Sequence, residues 1–415
     1  MSCQNRCDKD CHRQLSCQHQ KQQPEIIGWR FDAIKLMRWL VLISFVVAYW
    51  LGQGWNQPNT MTQLQKLYPE AEITAVNGKD SVWQVQQSSA DSITTYTAIA
   101  KTENSYGGPL QLITLYGDDG RVKDVDLLNH TDTPAYIQKL RNRMHFEQYE
   151  NQPVVRNNSS PSFDAVSGAT ISSDAIMRAH FRGLEEAGQL SFGKTQTLVE
   201  QRLQIETQHY VLLAFLILAV ASQWIKHPAF TLGMAVGSLI LMGFWLNQMF
   251  TASTFTAVSL SYTPSVYENL SFWILSSGIL FGILFLGKNI YCGNICPFSA
   301  LQLLLNKITG LSLPLPKFVQ KYGSFVPKIG LWLVIIIGLL TTVPIAGSYE
   351  PFSMIFSLQG VGIQWAILPL VVIGGVFVPK IFCRYFCPAG QGLDYLTQFR
   401  NWLAGYITKN KRRSS

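Results

Sequence analysis

At 415 residues, 48% hydrophobic and only 14% charged, the chain is long enough for two or three domains and too apolar for an ordinary soluble protein. Its net charge of +8 is a matter of placement: basic residues collect beside apolar runs, whereas residues 55–208 carry more acidic than basic side chains. With no helix-turn-helix or finger pattern, that distribution excludes nucleic acid as a partner.

Residues 1–35 form a polar tail in which Cys3, Cys7, Cys11 and Cys17 follow a C-x3-C-x3-C-x5-C spacing. This matches neither a common zinc finger nor a ferredoxin run, so metal or cluster binding and a tail that merely carries thiols both stay open. An apolar run then spans 36–54, and others follow at 209–225, 229–250, 269–287, 329–346 and 364–382. Each has about the length that crosses a hydrocarbon core of about 30 Å, which predicts six transmembrane helices. The first is expected to be an anchor and not a cleaved signal, because about 35 polar residues precede it and no small-residue cleavage site is evident.

Lys and Arg fix the orientation. Residues 1–38 carry seven, residues 288–328 five and residues 380–415 seven, while loops 251–267 and 347–363 carry none. The positive-inside rule places both termini in the cytoplasm and residues 55–208 outside. The predicted fold is thus an external α+β domain (55–208) plus an all-α polytopic membrane domain. Spans two to four cover 209–287, a cytoplasmic loop 288–328, spans five and six 329–382, and a basic cytoplasmic tail 383–415.

Within the external domain, Gly107-Gly108-Pro109 precedes an alternating segment, Leu110 to Tyr116, and Asp118-Asp119-Gly120 reads as a hairpin turn into Val122 to Leu128. Next comes His130-Thr131-Asp132-Thr133-Pro134. Further on lies Asp164-Ala-Val-Ser167-Gly168-Ala169-Thr170-Ile-Ser172, whose small residues let a ligand approach the backbone and whose hydroxyls flank it. Ser172-Ser173-Asp174 offers N-cap chemistry for a helix over Ala175 to Ala187, with Gly188 as its stop. Free N–H groups at a helix N-terminus favour a phosphate; from these residues alone, an ordinary capped helix fits equally well.

The acid-then-Ser-Gly-Ala-Thr-x-Ser pattern resembles the flavinylation motif of FMN-binding domains, and His130 to Pro134 resembles their His-x-acid-Thr-Pro element, with Asp132 where glutamate is more usual. The resemblance implies FMN esterified through its phosphate to Thr170 by a flavin transferase. It also implies a binding site that includes Asp164, Ser167, Gly168, Ala169, Ser172, His130, Asp132, Thr133, Gly107 and Gly108.

The four remaining cysteines form two copies of one pattern, Cys292-Gly-Asn-Ile-Cys296-Pro297 and Cys383-Arg-Tyr-Phe-Cys387-Pro388, offset by 91 residues. Cysteines at i and i+4 share a helix face, and proline suits the first turn of a following helix. Two such units related by pseudo-symmetry converge four thiolates, which fits an iron–sulfur cluster or a tetrahedral metal. The order of parts resembles the NosR/NirI family of membrane flavoproteins over most of residues 36–400, and the flavin domain resembles the flavin-carrying subunits of Rnf and sodium-translocating quinone reductase complexes. Family members typically continue into a cytoplasmic ferredoxin domain, which residues 1–415 do not contain, so an outside donor or the N-terminal cysteines are expected to stand in.

The resulting expectation is an electron-transfer component of a bacterial cytoplasmic membrane. It joins a cytoplasmic-side thiolate metal or Fe-S site to a covalent extracytoplasmic FMN that serves a periplasmic or extracellular redox partner, with a quinone or a cytoplasmic donor as further partners. The alternative is a redox-sensing, assembly or regulatory protein. A bilayer of about 30 Å separates the two expected sites and calls for a relay. His209 and His227 lie at opposite ends of their spans and do not suggest one haem, which leaves a quinone, a partner's cofactor or docking of the flavin domain. Tyr267-Glu268 and Tyr349-Glu350 are expected to be interfacial anchors at the outer surface, with a quinol site as the alternative.

Overall fold

The protein is described here by a computed structural model covering residues 24–55, 59–76, 79, 81–89, 92–105, 107–154, 163–166, 169–193, 203, 205–225, 227–267, 269–311, 313–357 and 363–414. Cys3, Cys7, Cys11 and Cys17 fall outside these residues. The chain divides into two compact units, residues 1–51 and 52–415. Helix α1 (Pro24–Trp55) carries the first apolar run. Its exposed Trp39, Leu40, Val46 and Trp50 leave an apolar surface of the kind lipid covers.

In the second unit, α2 (Thr60–Leu67) starts at Asn59, whose side chain accepts the Met61 N–H. Strands β1 (Ala71–Ala75), β2 (Val82–Ser89), β3 (Ser92–Ser105), β4 (Gly108–Gly117) and β5 (Val122–His130) form an antiparallel sheet in chain order. The expected hairpin is present, and Gly120 takes the positive φ of 70° that its turn requires. Strand periodicity splits the apolar residues between two faces. Ile99, Leu110 and Leu112 pack toward the helices that follow β5. Ala98, Ala100, Ile113 and Leu115 pack with Leu64 of α2. A bulge between Gln111 and Leu112 shifts the β4–β5 register.

Helices α3 (Pro134–Asn142) and α4 (Thr170–Phe192) complete the domain. Buried Ile176, Ala179, Phe181, Leu184 and Ala187 form the stripe read from the sequence. Glu103 of β3 is buried and pairs with Arg182 at 2.9 Å and Arg178 at 3.6 Å, tying α4 across the sheet. The helix boundaries differ from expectation: α4 begins at Thr170 and ends at Gly193 (φ 62°), so Gly188 lies inside it. Ser172 and Ser173 do not cap, because both side chains are engaged elsewhere, on Asp132 and on the Ala169 carbonyl.

The apolar runs after residue 206 are all helical. They are α5 (Thr207–Ala221), α6 (Pro228–Gly237, continued by a π-helical stretch to Trp245), α8 (Leu270–Phe281, continued likewise to Leu286), α11 (Val326–Thr341) and α13 (Gln364–Phe377). Between them lie α7 (Ala252–Ser259), α9 (Pro297–Thr309), α10 (Lys317–Tyr322), α12 (Phe352–Ser357) and α14 (Ile381–Tyr385), and α15 (Pro388–Ser414) follows. Among the described residues, three helical segments, Lys35–Trp55, Pro228–Trp245 and Lys317–Thr341, are long and apolar enough to cross a membrane; Thr207–Ala221, Leu270–Leu286 and Gln364–Phe377 are shorter apolar helices. Exposed Ile217, Ile240, Leu280, Leu333 and Leu370 face outward from the bundle.

Two helices follow the Cys-Pro motifs. Helix α9, expected within a cytoplasmic loop, packs against α6 and α13; Ser238 donates to the Ile295 carbonyl at 2.6 Å, and Phe298 is buried. Helix α15, expected as a cytoplasmic tail, buries only its first turns, through Leu393, against the bundle. Its Gly392 abuts Phe255, and twelve sequence positions from Pro388 the Arg400 guanidinium donates to the Leu284 and Phe285 carbonyls, where a cation suits a helix C-terminus. Both helices have one apolar face and one polar face, so a window average hides them.

Truncating Ile113, fully buried in the sheet core, is expected to cost about 2–5 kcal/mol. Thermal unfolding of the full-length protein, followed by strand-sensitive circular dichroism, checks it: Ile113→Ala lowers the midpoint, and the exposed control Ile93→Ala does not.

Candidate functional site

The flavin-motif residues meet around Asp132. Its carboxylate is buried, and Oδ2 accepts the hydroxyl protons of Ser105 and, at 2.6 Å, Ser172, while Oδ1 accepts the Gly107 N–H. One side chain thereby joins the end of β3, the glycine loop and the first turn of α4. Gly107 is required there: a Cβ would lie 2.4 Å from the Thr131 carbonyl oxygen and 2.8 Å from the Asp132 Cα. Thr131 closes the loop by donating its N–H and hydroxyl to the Pro109 carbonyl.

The N-terminus of α4 has no side-chain cap and no acidic residue in its first turn, leaving N–H groups of the kind that bind phosphate. Ser173 holds the approach to it, accepting the Val166 N–H at 3.1 Å and donating to the Ala169 carbonyl. Thr133 Oγ1 and His130 Nδ1 are buried with no hydrogen-bond partner among the described residues. Buried polar atoms without partners are costly in a finished site, so both suit contact with a polar ligand. Ser167, Gly168 and the Thr170 side chain fall outside the described residues, and Asp164 is exposed at the rim. Burial pushes the Asp174 carboxyl up, against the pull of Arg178; burial likewise holds the His145 imidazole below its usual range.

The second centre is built from the two Cys-Pro motifs. In each, the second cysteine closes a turn onto the residue five positions back: Cys296 N–H donates to the Tyr291 carbonyl and Cys387 N–H to the Phe382 carbonyl, both at 2.8 Å. The first is a π-helical turn in place of the α-helical geometry expected, a kind of turn frequent at functional sites, whereas the second closes the α-helical turn Ile381–Tyr385, where the Phe386 N–H also donates to the Phe382 carbonyl. Pro297 then opens α9 and Pro388 opens α15, as the sequence predicts. All four thiols line a single cavity of about 60 Å³, shared with Phe250, Tyr291, Ser299, Phe352 and Gly390. A Cβ on Gly390 would stand 3.5 Å from the Cys387 sulfur and 3.6 Å from that of Cys292, and its N–H donates to Cys387 Sγ at 3.3 Å.

Among the described residues, no group of three or more His, Cys, Asp or Glu side chains is arranged to hold a single metal ion. Four thiols spread round one cavity suit the wider ligand set of a cluster better than a tetrahedral ion. Four residues, Phe250, Tyr349, Glu350 and Phe352, are not legible in the sequence as parts of this site. Phe250 ends the expected span 229–250 and Phe352 lies in loop 347–363, and the charge rule places both at the opposite membrane face. Tyr349 and Glu350 are not surface anchors: Tyr349 donates to the Phe386 carbonyl at 2.6 Å, and the buried Glu350 accepts N–H groups from Ala252 and Ala389. Glu268 is outside the described residues, and His209 accepts the Glu206 N–H, a capping role.

Known families match both centres. The FMN-binding domain family matches residues 105–185, and the 4Fe-4S binding domain family matches residues 270–316 and 363–406. Protein NirI of Paracoccus denitrificans is 28% identical over 192 residues, 41% of this chain and 28% of NirI. The regulatory protein NosR of Stutzerimonas stutzeri is 29% identical over 221 residues, 46% of this chain and 29% of NosR.

The chain is a NosR/NirI-like flavoprotein.

One component of the proton-translocating ferredoxin:NAD(+) oxidoreductase complex of Clostridium ljungdahlii is 28% identical over 129 residues, 30% of this chain and 68% of that component. The chain thus spans under a third of the NirI and NosR lengths and about two thirds of the Clostridium protein. The matched family ranges contain every described flavin-site residue and all four cavity cysteines. They leave out residues 246–269 and 342–357, which supply Phe250, Glu350 and Phe352.

Asp132→Ala leaves two buried hydroxyls and one N–H without their acceptor, a loss of about 1–3 kcal/mol for each group. It is expected to abolish flavin retention while leaving iron content at the wild-type level. Flavin fluorescence in a denaturing gel, paired with iron analysis of the same preparation, measures both.

Proposed function

We propose that the protein moves electrons across or along a bacterial cytoplasmic membrane, between an iron–sulfur cluster held by Cys292, Cys296, Cys383 and Cys387 and an FMN esterified to Thr170. The observation that carries this reading is the convergence of both Cys-Pro motifs on one cavity in the same compact unit as the flavin domain. Bound there, a flavin exchanges one or two electrons and a cluster one, so together they connect one-electron carriers with two-electron partners.

The protein's own groups position and exclude. The α4 N-terminus and the Gly107–Gly108 loop would receive the phosphate end of the flavin, and Asp132 fixes the distance between them. Thr133 and His130 offer polar contacts to the rest of the cofactor. In the bundle, Phe298, Phe352 and Phe382 pack around the cysteine turns and keep water from the cavity. In this reading six helices cross the membrane, both termini are cytoplasmic, and the flavin domain faces the periplasm or cell exterior. A flavin transferase reaches Thr170 there, and a quinone or cytoplasmic donor supplies the other side.

The word "regulatory" in the name of NosR favours a second reading, a redox sensor or assembly factor. Stopped-flow oxidation distinguishes the two: a conduit reoxidises its flavin at respiratory rates with an extracytoplasmic partner, whereas a sensor changes state slowly and stoichiometrically.

Thr170→Val is expected to remove covalent flavin, read as the loss of one FMN from the intact mass; a retained adduct refutes the ester at that residue. Cys296→Ser and Cys387→Ser are each expected to lower iron and sulfide in anaerobically purified protein. Unchanged content in both variants refutes a shared site.

A further inference from the structure

The two family matches leave residues 246–269 unassigned, and this segment touches both centres. At one end the Tyr262 ring packs on the flavin loop: a Cβ on Gly108 (φ 124°) would lie 2.9 Å from Tyr262 Cδ2. Tyr262 is held in place by its N–H, which donates to the Ala257 carbonyl of α7 at 2.8 Å. At the other end the segment enters the cysteine cavity. Phe250 lines it, donates its N–H to the Tyr291 hydroxyl at 2.7 Å, and meets the Tyr291 ring edge-on with centroids 6.1 Å apart. Phe255 of α7 packs edge-on against Phe250 at 5.3 Å and abuts Gly392 of the cysteine-bearing α15. Glu350 fixes this end, accepting the N–H of Ala252 in the first turn of α7 at 2.8 Å and that of Ala389 in the first turn of α15 at 3.3 Å.

We propose that residues 250–262 are the joint that seats the flavin domain on the cysteine bundle, with Tyr262 as the contact on the flavin side and Glu350 as the tie on the cysteine side. The partner of this surface is the protein's own Gly107–Gly108 loop. Helix α7 has eight residues, about 12 Å at 1.5 Å per residue, so the joint replaces a full hydrocarbon thickness of about 30 Å with a two-turn helix and three aromatic rings. The joint gives the electron-transfer reading a short path, and its importance rests on that reading; its existence does not.

The test uses full-length holoprotein with Tyr262 replaced by photoreactive benzoylphenylalanine. Irradiation is expected to cross-link position 262 to the peptide containing Gly107 and Gly108; cross-links confined to the helical bundle overturn the joint. A second arm follows hydrogen exchange. Tyr262→Ala is expected to speed exchange at residues 107–110 and 131–133 while leaving β1 and β2 at wild-type rates, and unchanged exchange at the glycine loop also overturns it. The functional arm measures equilibration between flavin and cluster after a reducing pulse, in which each event removes one electron from one centre and adds one to the other. Tyr262→Ala with full flavin and iron content is expected to slow it about tenfold or more, since small misplacements of this kind cost one to two orders of magnitude. A rate unchanged from wild type overturns the joint as the path. No transfer in the wild type, with both cofactors present and the cross-link formed, sinks the proposed function and leaves the joint standing.

Discussion

Glu350 occupies the position on which the bundle's arrangement turns. A carboxyl group in an apolar interior is tolerated when its oxygens are taken up by donors, and here the donors are backbone N–H groups in the first turns of two helices, α7 and α15. Helix N-termini carry donors with no intrahelical acceptor, so each needs what Glu350 offers. One side chain thus satisfies two helices and fixes where they meet. That meeting point joins Ala252, two residues after Phe250 of the cavity lining, to Ala389, two residues after Cys387.

Asp132 performs the same service in the flavin domain. It ties the stretch holding Ser105 and Gly107 to Ser172, far along the chain, and leaves the α4 N-terminus open. In both centres an acidic residue organises the backbone around the space where a cofactor would sit. The Asp132 oxygens accept from protein donors on all three of these residues.

Local pattern is legible in this sequence and distant pairing is not. The β4–β5 hairpin, the apolar stripe of α4 and the proline starts of α9 and α15 depend on residues a few positions apart, and the sequence displays them. The span count rests on window hydropathy, which finds apolar runs but does not say where their loops go. Loops 251–267 and 347–363 carry no Lys or Arg and read as outer-surface segments, yet Tyr349, Glu350 and Phe352, with Phe250 at the end of the preceding span, turn inward onto the cysteine turns. A lone acid in a weakly charged stretch is the available signal for Glu350. Tyr262 and Ser105 give none, because their partners lie more than two dozen residues away.

The cysteine cavity and the flavin loop both abut one short segment, residues 250–262. A map of anaerobically purified holoprotein, with iron located by anomalous scattering and flavin by its density, measures their separation directly. The account predicts iron between Cys292, Cys296, Cys383 and Cys387, and flavin at the α4 N-terminus on the Tyr262 side, well inside the hydrocarbon thickness of about 30 Å. Iron elsewhere, or a flavin domain standing clear of residues 250–262, contradicts it.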